Sequence, residues 1–167
     1  MNDVFVEQQK KLSLSISDDL SSLMHMNIHF QEVARADRDY KTFESAVPSF
    51  AFVGILEQKN PKARIIVAID PEMIYKMSNL VLGGVGDVEL KVIPNFTFSE
   101  EFIGKLLIER FIHFYEDQKI SMNLLRIEHN LRVVHSFYED EPIRMMRMSC
   151  LIEGSQVGVF TVCYPMD

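Results

Sequence analysis

Tryptophan is absent from this chain, cysteine occurs twice, and no apolar run is long enough to cross a membrane. Each lack narrows the classes of protein open to it. Cys150 and Cys163 have no Cys-x-x-Cys spacing, so neither a zinc site nor a dithiol centre is read from them. They read as small buried hydrophobes in a strand hairpin, in a reduced, cytoplasmic setting. No window reaches 18 apolar residues, which leaves out a spanning helix. Residues 1–7 lack the basic start and apolar core of a signal peptide. Positive charge is short as well: 17 Lys and Arg stand against 24 Asp and Glu, for a net charge of −7. A nucleic-acid binder would carry a basic footprint and a membrane-surface protein a basic face, so neither class is expected. Walker, nucleophile-elbow and dinucleotide-binding motifs are missing. None of His25, His29, His113, His129 and His135 stands at metal-ligand spacing from a cysteine. No catalytic residue, metal or cofactor is assigned.

Glycine is also scarce, with seven in 167 residues, yet three fall within Gly83-Gly84-Val85-Gly86. At average usage, such a cluster arises in about one chain in twenty of this length. It directly follows an apolar helical stretch. Glycine takes positive φ without steric cost, so the loop can turn sharply and bare its backbone. Two readings are open: a docking point for another protein, or a helix stop. Gly83 suffices to end the helix, and a stop alone does not ask for Gly84 and Gly86.

The rest of the chain reads as one α/β domain over residues 1–167, with 47% hydrophobic residues to fill a core. Phe5, Leu12, Ile16, Leu20 and Leu23 recur at helical period over 4–24. Residues 27–34 alternate as a half-buried strand, and 40–47 form a short amphipathic piece before Pro48. Residues 50–57 and 64–69 are apolar at nearly every position, as strands covered on both faces are. Asp70 reads as an N-cap, with Pro71 at the first helical position. That helix is expected to carry Ile74, Met77, Leu80 and Val81 inward and to end at Gly83. Residues 88–96 read as an irregular crossing. Thr97-Phe98-Ser99-Glu100 is a capping box opening a helix over about 98–118. Strands are predicted at 122–129, 132–137, 143–152 and 156–163, with a hairpin turn at Glu153-Gly154-Ser155. Met145, Met146 and Met148 read as adaptable core packing.

An internal echo adds to this. The strand ending at Ile69 runs into Asp70-Pro71-Glu72, and the strand ending at Cys163 runs into Tyr164-Pro165-Met166. A duplicated helix–strand–strand–helix unit accounts for it, and places the last helix after the residues given.

Several of these segments together resemble the middle domain of the flagellar motor switch protein FliM. They are Phe5 to Leu23, Tyr40 to Pro48, Ile69-Asp70-Pro71, Asn79-Leu80-Val81-Leu82-Gly83-Gly84-Val85-Gly86, Phe96 to Glu100 and Cys163 to Met166. The resemblance implies a CheC-like three-layer α/β/α fold with pseudo-twofold duplicated units. It further implies a non-enzymatic, cytoplasmic scaffold of the flagellar switch ring, peripheral to the inner membrane and acting in motility and chemotaxis. Gly83, Gly84, Val85 and Gly86 would contact a FliG-type rotor protein, and like domains would pack side by side. The N-terminal motif for phosphorylated CheY and the C-terminal FliN-like domain are not found in the sequence. CheC and CheX phosphatases, which share the fold, need a Glu-x-x-Asn pair on a helix. Here that pattern occurs at Glu57 and Asn60, in a strand and turn, whereas the helices read Glu72-Met73-Ile74-Tyr75 and Glu101-Phe102-Ile103-Gly104. A phosphatase and an injectisome-type secretion ring component are the alternatives.

Overall fold

The computed structural model describes residues 3–86, 88 and 91–166. Helix α1 (Asp3–Met24) buries Leu12, Ile16 and Leu20 completely, as the helical period predicts. Strand β1 (Ile28–Asp39) is longer than predicted. Its polar second half stays extended because its backbone pairs with strand β5 (Pro142–Ile152) as far as Asp39↔Pro142. Asp39 then caps helix α2 (Tyr40–Ala46), accepting from the Thr42 amide at 2.8 Å and the Thr42 hydroxyl at 2.6 Å. The Thr42 hydroxyl bond is the main reason the Asp39 carboxyl titrates below its usual range.

Strands β2 (Phe52–Gln58) and β3 (Ala63–Ile69) form the predicted hairpin, followed by helices α3 (Pro71–Val81) and α4 (Phe98–Asp117). Strand β4 (Met122–Glu128) comes next, and β6 (Ser155–Pro165) returns from β5 through the predicted 153–155 turn. The strand predicted over 132–137 is not formed. Leu131–Val133 is a single 3-10 turn instead. Asn130 accepts the Arg132 amide at 3.0 Å, which draws the backbone out of any ladder. The residues buried there are Leu131 and Val134, three apart rather than two. The 88–96 crossing is irregular at Val88 and over 91–96; the remaining residues of that prediction lie outside those described.

All strand pairs are antiparallel, in the order β1-β5-β6-β3-β2-β4. Exchanging β1 with β4, β2 with β5 and β3 with β6 gives the same order read backwards. The expected duplication is therefore present in the topology, with its axis at the central β3–β6 pair. It does not extend residue by residue to the two prolines. Aligning Pro71 with Pro165 would match Ile69, in the core under the long helices, with Cys163, in the core on the opposite face.

The sheet divides three layers. Under α1, α3 and α4 lies the larger core, with Phe30, Phe52, Val67, Phe111, Met146, Met148 and Phe160 fully buried. On the other face α2 and the 3-10 turn lay Tyr40, Phe43, Leu131 and Val134 over Val53, Ile55, Ile66 and Cys163. Burial pushes the Cys150 thiol up to about 12 and raises that of Cys163 as well, so both cysteines stay protonated. A buried polar ring joins α1, α4 and β6. Gln9 Nε2 donates to the Tyr115 phenol at 3.5 Å, the Tyr115 and Tyr164 oxygens are 2.6 Å apart, and the Tyr164 hydroxyl donates to Gln9 Oε1 at 3.3 Å. Burial pushes Tyr115 up to about 12, and Tyr164 is raised well above its ordinary value for the same first cause, so both phenols remain neutral donors.

Both outer strands are interrupted by a bulge, which leaves Val33 on β1 and Leu125 on β4 without a partner residue across the ladder. Bulges at sheet edges oppose edge-to-edge pairing. On β1 a serine stripe on α1 adds to this protection. Ser17 Oγ accepts the Phe30 amide at 2.9 Å and Ser13 Oγ donates to the Phe30 carbonyl at 2.5 Å. Ser21 Oγ both accepts the Ile28 amide at 2.9 Å and donates to the Ile28 carbonyl at 3.0 Å. Three hydroxyls, four residues apart on one helix face, thus take the place of a neighbouring strand.

Candidate docking loop

The loop hangs from α3. Pro71 starts that helix, but the expected side-chain cap from Asp70 is not made. Asp70 Oδ2 instead accepts the Val159 amide at 3.0 Å, while the Asp70 amide donates to the Val159 carbonyl at 3.1 Å. This pair moors the start of α3 to β6. Desolvation raises the Asp70 carboxyl, with the Val159 hydrogen bond and the Arg147 charge opposing it. Met73, Ile74 and Met77 are fully buried, so the root of the loop is held by the core.

At the C-terminal end of α3 the Gly83 amide donates to the Leu80 carbonyl at 3.1 Å and the Gly84 amide to the Asn79 carbonyl at 2.9 Å. With Gly83 at φ +92° this is a Schellman cap, the arrangement that satisfies the last carbonyls of a helix. The helix-stop reading of Gly83 is therefore present in the structure. Gly84 and Gly86 also have local reasons, which the sequence reading did not supply. A Cβ on Gly84 would sit 2.1 Å from Asn79 Oδ1, and Gly86 has φ +87°. The Gly86 amide donates to Asn79 Oδ1 at 2.9 Å. Between these clamped points Val85 is 85% exposed.

The return to α4 is anchored as firmly. Phe96 stacks on Phe50 at 4.7 Å and meets the His129 ring at 5.0 Å and Phe52 at 5.5 Å. The Tyr75 hydroxyl donates to the Asn95 carbonyl at 3.0 Å, and Lys91 Nζ lies 4.3 Å from the centre of the Tyr75 ring. Lys91 also pairs with Glu100 at 2.5 Å. Glu100 completes the predicted capping box with Thr97. Around this frame apolar side chains face solvent: Leu82, Phe98 and Phe102 are exposed, and so is Val81, expected to point inward but standing in the last turn of α3 where no layer covers it. A groove of about 430 Å³ lies beside the last turn of α3, lined by Leu23, Met24, Leu80, Val81, Phe102 and Leu106 among others, whereas Val85 and Gly86 border a separate, more polar cleft with Glu72, Lys76 and Gln156. Exposed apolar surface of this kind marks interaction sites.

The residues weighed for phosphatase chemistry are not brought together. Glu57 lies on β2, 3.6 Å from Lys62 Nζ, and Asn60 is in the following turn. On α4, Glu101 Oε1 lies 2.9 Å from His129 Nε2. Three residues on, Gly104 faces the Phe52 ring so closely that a Cβ would be 2.7 Å from it, leaving no room for an amide side chain. On α3 the corresponding residue to Glu72 is Tyr75. Among the described residues no three His, Cys, Asp or Glu side chains are placed to hold a metal ion. No helix among them is long and apolar enough to cross a membrane. Asn79 and the His129–Glu101 pair were not singled out from sequence as parts of a site. The signal for Asn79 was its place one helical turn before the glycines.

Duplicated halves, a six-stranded antiparallel sheet, helices on both faces and a clamped glycine loop define an α/β domain of the CheC-like class. Comparison with known proteins makes this specific. A family model described as "Flagellar motor switch protein FliM" matches residues 4–167, and the chain belongs to the FliM family. The FliM middle domain from H. pylori superposes with a TM-score of 0.83 at 18% identity, over 96% of this chain and 89% of that one. A chain of the FliG–FliM complex from H. pylori gives 0.80 at 18% identity, over 99% of this chain and 94% of that one. A CheC-like superfamily protein from Shewanella gives 0.55 at 10% identity, over 99% of this chain and the whole of that one. At such identities these likenesses concern the fold. No curated protein sequence matches. Membership of the FliM family makes the chain a structural component of the flagellar motor switch.

Proposed function

We propose that this domain is a non-enzymatic scaffold of the switch ring that docks a FliG-type rotor protein through Gly83, Gly84, Val85 and Gly86. One observation carries the reading: the loop is clamped at both ends yet presents Val85 at 85% exposure. A rigid loop with an apolar tip gives a partner a contact of low ordering cost. A FliG–FliM complex from H. pylori, one chain of which shares this fold, has been crystallised. Like domains pack beside it in the ring, at the cytoplasmic side of the inner membrane. The lack of room for an amide at Gly104 supports a scaffold over a phospho-CheY phosphatase. Calorimetric titration of the Val85→Asp protein with the FliG-type protein of the same genome tests the reading. Affinity should fall at least tenfold while the melting curve is kept. Wild-type affinity in a folded Val85→Asp protein would overturn it. Gly84 is a poorer probe, because any side chain there displaces Asn79.

A further inference from the structure

We infer that Asn79 is the positioning residue of the docking loop, an inference that rests on the docking reading above. Asn79 holds both sides of the tip with two different oxygens. Its main-chain carbonyl takes the Gly84 amide and its side-chain Oδ1 takes the Gly86 amide, each at 2.9 Å. Val85 alone lies between the two amides so held. The glycines answer to this one side chain. Gly83 turns the chain at φ +92°, Gly84 leaves the space that the carboxamide fills, and Gly86 turns its amide toward Oδ1 at φ +87°. Leu80 supports the same arrangement from below, 3.4 Å from where a Gly86 Cβ would be. Three glycines and one asparagine therefore form one device, and its output is the fixed position of Val85. A loop ordered before the encounter loses less conformational freedom on binding, so removing the clamp lowers affinity without removing any partner contact.

Amide hydrogen exchange and calorimetry on variants at Asn79 and Gly84, with Val85→Asp as the reference, test this. Asn79→Leu keeps the bulk and loses the acceptor, Asn79→Ala loses both, and Asn79→Asp keeps an acceptor oxygen in place. Exchange at Gly86 should quicken about tenfold in the first two and stay near wild type in Asn79→Asp, the change expected for one lost hydrogen bond. Affinity for the FliG-type protein should fall about tenfold in the same two variants, with melting temperatures unchanged. Gly84→Ala should loosen Gly86 as Asn79→Ala does, and add nothing when combined with it. Unchanged exchange at Gly86 in Asn79→Leu would overturn the clamp. Loosened exchange with wild-type affinity would overturn its role in docking. Val85→Asp separates that failure from failure of the docking reading, since a loss of affinity there leaves the loop as the contact and removes only Asn79.

Discussion

The core under α1, α3 and α4 and the rim between α3 and α4 are built from the same residue types and end in opposite states. In the core, Phe52, Phe111 and Phe160 have no exposed surface, and Phe111 lies 5.0 Å from Tyr115 and 6.0 Å from Phe160. At the rim, Phe98 and Val85 are 90% and 85% exposed. The difference is not hydrophobicity but whether an opposing layer arrives. The sheet meets the helices across the whole core, whereas among the described residues no layer covers Phe98 and Val85. Stability is therefore drawn from the core, while the apolar surface of the rim is what the docking proposal assigns to another molecule.

Four substitutions set the two regions against each other. Phe111→Ala in the core should cost about 3–5 kcal/mol, through lost burial and the cavity left behind. Urea unfolding measures it, and a cost under 1 kcal/mol would mean that the core is not the source of stability. Ser17→Ala strips the Phe30 amide of its acceptor at the covered edge of β1 and should cost about 1–3 kcal/mol. A change in unfolding midpoint no larger than that of Ser22→Ala, an exposed serine of the same helix, would deny the stripe its role.

Asp70 moors the start of α3, at the end opposite the loop, to β6, and its effect depends on pH. Its carboxyl is raised in the fold, so the folded state holds a proton that the unfolded chain has already released. Its contribution is fully present below the unfolded value, about 3.9, and is lost as pH rises through the higher folded value. Asp70→Asn can still accept the Val159 amide without burying a charge. It should flatten that fall and leave the protein at least as stable as wild type at pH 7. Unfolding midpoints at several pH values check the slope, and an unchanged slope would assign it elsewhere. The smallest effect on stability is expected at the rim, where Val85→Asp should stay within about 0.5 kcal/mol of wild type. A larger loss would show that Val85 supports the fold and would erase the contrast.

The regular elements were legible in the sequence wherever one face packs. Leu12, Ile16 and Leu20 announced α1, the unbroken apolar runs announced β2 and β3, and Thr97 with Glu100 announced the start of α4. The proline echo pointed to the duplication that the strand order displays. Failures came where a polar side chain had two possible partners. Asp70 sits where a cap belongs but takes its hydrogen bond from β6, a strand almost ninety residues away in the chain. Asn130 turned the expected 132–137 strand into a 3-10 turn. Ser13, Ser17 and Ser21 look like an ordinary polar stripe until β1 lies against them.

By itself, then, the sequence determined most of the elements, the family and the position of the glycine run, because periodicity, capping and turn residues act over a few neighbouring residues. Only the tertiary structure decided which apolar residues remain uncovered, and that Gly84 and Gly86 answer to Asn79. Those outcomes depend on which groups meet in space. A hydrogen bond of 2.9 Å or a clash at 2.1 Å is set by the packed geometry and not by residue type.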